Sequence, residues 1–141
     1  MKKAFTRAIA SAALLGAVAA LTGCASSGGS LAGKERVVEQ RAQERWNHLV
    51  AGNYGQAYAY LPPSYRAVVT AEDFRGRFGR GAAWKSATIR SVKCETDERC
   101  TVEVDLSVVV VARGFGGKPL AADLVETWLK EDGQWWFYQK D

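Results

Sequence analysis

Two acidic residues on strand-like sequence, Asp105 and Glu126, are the best carriers of acid–base chemistry in this chain. A carboxylate held in a water-poor cavity has its charged form disfavoured, which lifts its pKa toward the range of a useful general base. Such a base needs a partner that holds developing negative charge. Tyr54, Tyr58 and Tyr60 offer hydroxyl donors on one short stretch. Glu126 shares strand parity with Leu124 and Trp128, so an inward direction is open to it. The competing reading sets both acids on a solvated or subunit-facing side of a sheet, paired across strands with Arg90 or Lys93. His48, the chain's one histidine, flanks an apolar helical stripe one turn after Glu44, a place that suits surface pairing better than catalysis.

Other chemistries lack their residues. No serine sits in GxSxG, and neither GxGxxG nor a P-loop is present. Three cysteines and one histidine do not compose a metal set, so neither metal nor cofactor is expected. Cys94 and Cys100 enclose ETDER with strand-like sequence on both sides. In an oxidising compartment two cysteines across a short polar turn favour a hairpin disulfide over a metal pair or free thiols. RGFGGKP, Arg113 to Pro119, has glycines and a lysine but lies between strand-like runs and reads as a mobile hairpin loop.

The elements that would position these residues are legible in outline. Lys34 to Ala51 repeats apolar residues at helical spacing, with Val38, Ala42, Trp46 and Leu49 on one stripe. Gly52-Asn53 ends it, with Asn53 as an N-cap for a second short helix through Leu61, which Pro62 and Pro63 stop. Thr70-Ala71-Glu72-Asp73 starts a third, with Gly79 and Gly81 at its exit. After Trp84 the period changes to that of strands: TIRSVKCE, CTVEVDLSVVVVA, LAADLVETWLK and WWFYQK, the last two joined by Glu131-Asp132-Gly133-Gln134. Val109 and Val111 are apolar where alternation calls for polar residues, so one end of the second strand is expected to be covered on both faces. Helices followed by consecutive strands give an α+β domain, helices packed on one face of a curved antiparallel sheet of about four strands.

The first 23 residues do not belong to that domain. Lys2, Lys3 and Arg7 precede an uncharged apolar run, Ala8 to Ala20, shorter than the roughly 20 residues of a membrane span. Leu21-Thr22-Gly23-Cys24 then resembles the lipobox of bacterial lipoproteins. That resemblance implies cleavage before Cys24, acylation of its thiol and amino group, and anchoring by palmitate-like chains, each buried methylene contributing about 0.8 kcal/mol. Ala25 after the cysteine implies the outer membrane, with the domain facing the periplasm. Ala25 to Gly33, rich in Ser and Gly, reads as a flexible tether, so the domain is placed at 35–141 behind a lipidated segment at 24–34.

Removing the signal takes three basic residues and no acidic ones, so the precursor's net +4 becomes +1, and no nucleic-acid partner is expected. Within the domain, Arg66 to Lys93 is mostly basic and Glu95 to Asp132 mostly acidic. Arg75, Arg77 and Arg80 are either a solvated face or a patch for anionic lipid or an envelope polymer.

The order of elements, with WNHLVAGNYGQAYAYLPPSYR (Trp46 to Arg66) and the closing hairpin ETWLKEDGQWWFY (Glu126 to Tyr138), resembles the nuclear transport factor two-like fold, over roughly Glu35 to Lys140. The resemblance implies a cone-shaped cavity between helices and sheet and frequent dimerisation through the sheet. The superfamily includes isomerases, dehydratases and hydrolases beside domains that only bind or assemble. Two readings follow: a lipid-anchored module binding a small ligand or an envelope protein without catalysis, or a small enzyme using Glu126 or Asp105 with Tyr60.

Overall fold

Ser30 opens the longest helix, its hydroxyl accepting from the Gly33 amide and so satisfying one of the orphan donors of a helix N-terminus. The computed structural model describes residues 30–78, 82–110, 114 and 116–139. The signal segment, Cys24, the tether up to Gly29, Gly79, Arg80, Gly81, Val111 and Arg113 lie outside these. Helix α1 spans Leu31–Val50. It therefore begins earlier than the apolar stripe indicates, and Leu31–Gly33, which the composition assigns to the tether, are helical because Ser30 supplies the cap.

Three short helices follow. Helix α2 is Tyr54–Tyr58, and Asn53 precedes it without making the side-chain cap expected of it. Pro63, which has no amide to leave unpaired, begins α3, Pro63–Arg66, so the proline pair both ends one helix and starts another. Thr70 caps α4, Ala71–Arg75, through the Asp73 amide, as its sequence predicts.

Strands β1 (Ala82–Cys94), β2 (Arg99–Val110), β3 (Pro119–Glu131) and β4 (Gln134–Tyr138) form one antiparallel sheet in sequence order. Two register shifts in the β1–β2 ladder, at Trp84/Ser86 and Ile89/Ser91, bend that side of the sheet, whereas β2 and β3 pair without a shift. Strand β1 starts before the change of period seen in the sequence, since its first residues pair with the valines of β2. Asp132 and Gly133 both take positive φ, 51° and 77°, as a two-residue hairpin turn of this kind requires.

The helices lie on one face, so the architecture is the α+β arrangement expected. Val38, Ala42, Trp46 and Leu49 of α1 meet Val102, Val104, Trp128 and Trp135 of the sheet, all buried. Toward β1 the space between helices and sheet is filled by aromatic rings. Trp84 packs edge-on against both Trp46 and Phe78 at 5.3 Å, and Phe78 meets Phe74 at 4.8 Å and Tyr54 at 5.0 Å. The free edge of β4 is closed by α1 and the α2–α3 connection: Phe137 donates its amide to the Tyr60 carbonyl, and Arg41 Nε donates to the Trp135 carbonyl, at 2.9 and 2.8 Å. Among the described residues the expected two-sided cover of β2 is not found, and Val111 lies outside them. Val108, Val109 and Val110 are half-buried, and the β3 residues paired with the first two, Leu120 and Pro119, are themselves exposed.

Cys94 and Cys100 face one another in the β1–β2 ladder and are joined in a disulfide. The closed loop is short, so the bond restricts the unfolded chain only modestly, by about 2 kcal/mol. Replacing both cysteines with serine is expected to lower the stability measured by urea unfolding by that amount without unfolding the domain. Loss of the folded state would show the hairpin to be a larger part of the stability than its loop length allows.

Candidate functional site

Glu126 is the inward carboxylate. It lies opposite Val102 in the β2–β3 register, between Leu124 and Trp128 on the same side of β3, and is 2% exposed. Both its oxygens are engaged. Oε1 accepts from Arg45 Nη1 at 2.8 Å, and Oε2 accepts from Trp128 Nε1 at 3.1 Å. Arg45 comes from α1, is 4% exposed, and lies over the Phe137 ring with 3.6 Å from guanidinium carbon to ring centroid. Burial pulls its guanidinium below the ordinary arginine range, and the charge and hydrogen bond of Glu126 oppose that.

This pairing decides what Glu126 can do. A general base must present a free lone pair to its substrate. Here each oxygen already accepts one hydrogen bond, one from a buried cation and one from an indole N–H, an arrangement that favours tying α1, β3 and β4 together over acid–base work. A groove of about 710 Å³ runs past this end of β3, and Glu126 and Phe137 line it together with Val125, Thr127, Leu129 and Tyr138. Val125, Thr127 and Leu129 alternate with the inward Glu126 and Trp128, and Tyr138 pairs with Thr127, so these four lie on the outer face of the sheet.

Asp105 stands on the opposite face. It follows Val104 in β2, is exposed, and accepts from Arg90 of β1, which also donates to Asp123 of β3 at 2.6 Å. The Arg90 hydrogen bond holds the Asp105 carboxyl below the usual carboxylate range. The cross-strand pairing with Arg90 that the sequence leaves open is present for Asp105, and Glu126 takes a different partner. The two acids thus do not share a site.

The tyrosines are also accounted for. Tyr54 stacks on Phe78, and Tyr58 donates to the Val69 carbonyl at 2.7 Å. Tyr60 donates to Glu44 Oε2 at 3.0 Å, and burial followed by that hydrogen bond raises its pKa. Among the described residues none of the three bonds to Glu126. His48 is half-buried with its ring 6.1 Å from that of Tyr60, beside Glu44 as expected. Arg75 and Arg77 are exposed, Arg77 lying 6.0 Å from the Tyr65 ring centroid. Among the described residues there is no group of three or more metal-ligating side chains, and no helix long and apolar enough to cross a membrane.

Arg45, Arg41, Arg66 and Trp136 are the residues that sequence reasoning misses. Arg45 carries a signal: Val38, Ala42, Arg45 and Leu49 fall on one helical stripe, and a cation there needs a buried anion. The other three converge through the fold alone.

No protein-family model and no curated protein matches the sequence. Solved structures do. A SEC-C motif containing protein from Rhodopseudomonas palustris, determined in solution, is 17% identical over 70% of this chain and 73% of that one, with a TM-score of 0.53. A crystal structure from Novosphingobium aromaticivorans, described as a candidate scytalone dehydratase, is 16% identical over 72% of this chain and 77% of that one, with a TM-score of 0.41. The first likeness is one of fold and brings no chemistry with it.

Proposed function

We propose that this is a lipid-anchored envelope protein, held by acylated Cys24 at the periplasmic face of the outer membrane, whose domain binds a ligand or a partner protein and catalyses nothing itself. The observation that carries the reading is the engagement of Glu126. The strand carboxylate best placed for acid–base work is engaged in closing the fold, and aromatic rings fill the space around Trp84 between helices and sheet. Support for assembly comes from the outer face of the sheet. It carries Val125 at 65% and Tyr138 at 47% exposure, and no described helix covers it, which suits self-association through the sheet or docking of an envelope protein.

The anchor is tested in the native host. With an alkyne analogue of palmitate, the wild type is expected to label and to sediment with membranes, whereas Cys24→Ser should be unlabelled. An unlabelled wild-type protein that still cleaves normally and is soluble in the periplasm would remove the anchor from the proposal.

A further inference from the structure

Two cations each lie beside one ring at the β4 edge of the sheet. The guanidinium carbons of Arg41 (α1) and Arg66 (α3) lie 5.5 and 5.4 Å from the centroid of the Trp136 indole of β4, and Arg41 is also 5.0 Å from the Tyr60 ring. Each is braced the same way. Arg41 Nε donates to the Trp135 carbonyl at 2.8 Å and Arg66 Nε to the Leu61 carbonyl at 3.0 Å. Both side chains are half-buried. Among the described residues no carboxylate lies within salt-bridge distance of either, and nothing accepts from their terminal Nη atoms.

The nearest acid, Glu44, acts on Arg41 through its charge but makes no hydrogen bond to it. Glu44 Oε1 accepts from Gln40 at 2.9 Å and Oε2 from Tyr60 at 3.0 Å, bonds that lower its pKa. Burial lowers the Arg41 pKa and Tyr60 and Glu44 partly oppose that, so the cation lacks some of its hydration and is only partly compensated. Like charges gathered on one indole and partly stripped of water are unfavourable unless an anion joins them. Guanidinium groups fixed at Nε present their remaining N–H donors in the planar fork that suits a carboxylate or phosphate oxygen pair.

We infer that Arg41 and Arg66, braced on backbone carbonyls and sharing the Trp136 indole, receive one oxyanion group, a carboxylate or a phosphate monoester, of the ligand that this domain binds. Glu44 and Asp132 line the adjoining cleft of about 380 Å³ together with Arg41. Their charge favours a ligand with a single anionic group over a polyanion. The inference rests on the binding-module reading, yet its outcome is separate from the fate of Cys24, so the anchor can stand while this site falls.

The test uses the purified full-length protein at low ionic strength, titrated separately with inorganic phosphate and with acetate. The readout is the indole N–H resonance of Trp136, assigned from Trp136→Phe. A saturable shift is expected with at least one anion: phosphate alone identifies a phosphate-bearing ligand, acetate alone a carboxylate, and both the shared chemistry. Arg41→Gln and Arg66→Gln should each weaken the response about tenfold or more, while the other tryptophan indole signals stay in place and report an intact fold. Absence of a saturable shift in the wild type with either anion overturns the site, whatever the variants do. So does a shift that either folded variant reproduces unchanged.

Discussion

Glu126→Ala should cost this domain about 3–5 kcal/mol of stability, because it removes one partner of a buried ion pair and leaves the other charged and dry. The reason is local. Arg45 is 4% exposed and reaches no other carboxylate among the described residues, so its only counter-charge in that setting is Glu126. Its Nε already lacks a hydrogen-bond partner there. Replacing both members is expected to be far milder: Arg45→Met with Glu126→Leu substitutes apolar volume for a pair whose Coulomb energy largely offsets its own desolvation. Glu126→Gln should fall between, since an amide oxygen can still accept from Arg45 or Trp128 while the charge is lost. Urea unfolding followed by tryptophan fluorescence checks the series. A single Glu126→Ala variant within about 1 kcal/mol of wild type would mean that water reaches Arg45, and the case against Glu126 as a base would weaken with it.

The parts of this fold written as local periodicity are legible in the sequence alone. The apolar stripe through Val38, Ala42, Trp46 and Leu49, the Thr70 cap and the Asp-Gly turn each depend on neighbours within a few residues, and each is present. What is not legible depends on partners distant in sequence. The start of β1 at Ala82 is set by pairing with Val108–Val110, not by its own alternation. The valines of β2 suggest two-sided cover, yet Val108 and Val109 are half-buried beside exposed β3 residues. The direction of Glu126 can be read from parity, but its meaning cannot. A carboxylate facing inward is a base or a brace according to who meets it, and Arg45 is 81 residues away in sequence. Arg41, Arg66 and Trp136 are likewise brought together by the docking of β4 against the α2–α3 connection, for which no short stretch of sequence speaks.

Trp128→Ala is expected to cost about 3–5 kcal/mol, more than loss of the disulfide, since it empties the largest fully buried position in the domain. The indole lies opposite Cys100 on one side and Phe137 on the other, with the Phe137 ring 6.2 Å away, so neither neighbour can collapse far into the space. Trp128→Phe separates packing from bonding. It keeps an aromatic ring and removes the N–H that Glu126 Oε2 accepts, at an expected cost of about 1–3 kcal/mol for the acceptor left with one partner fewer. The informative comparison places Trp128→Phe in the Arg45→Met, Glu126→Leu background. There the indole N–H has already lost its acceptor, so removing it relieves an unsatisfied donor, and the penalty should shrink toward that of the lost ring volume alone. Non-additivity of this sign would establish Arg45, Glu126 and Trp128 as one unit fastening α1 to the β3–β4 hairpin. Additive costs would instead make the indole a packing element indifferent to the carboxylate, and Glu126 would then have an oxygen to spare for chemistry.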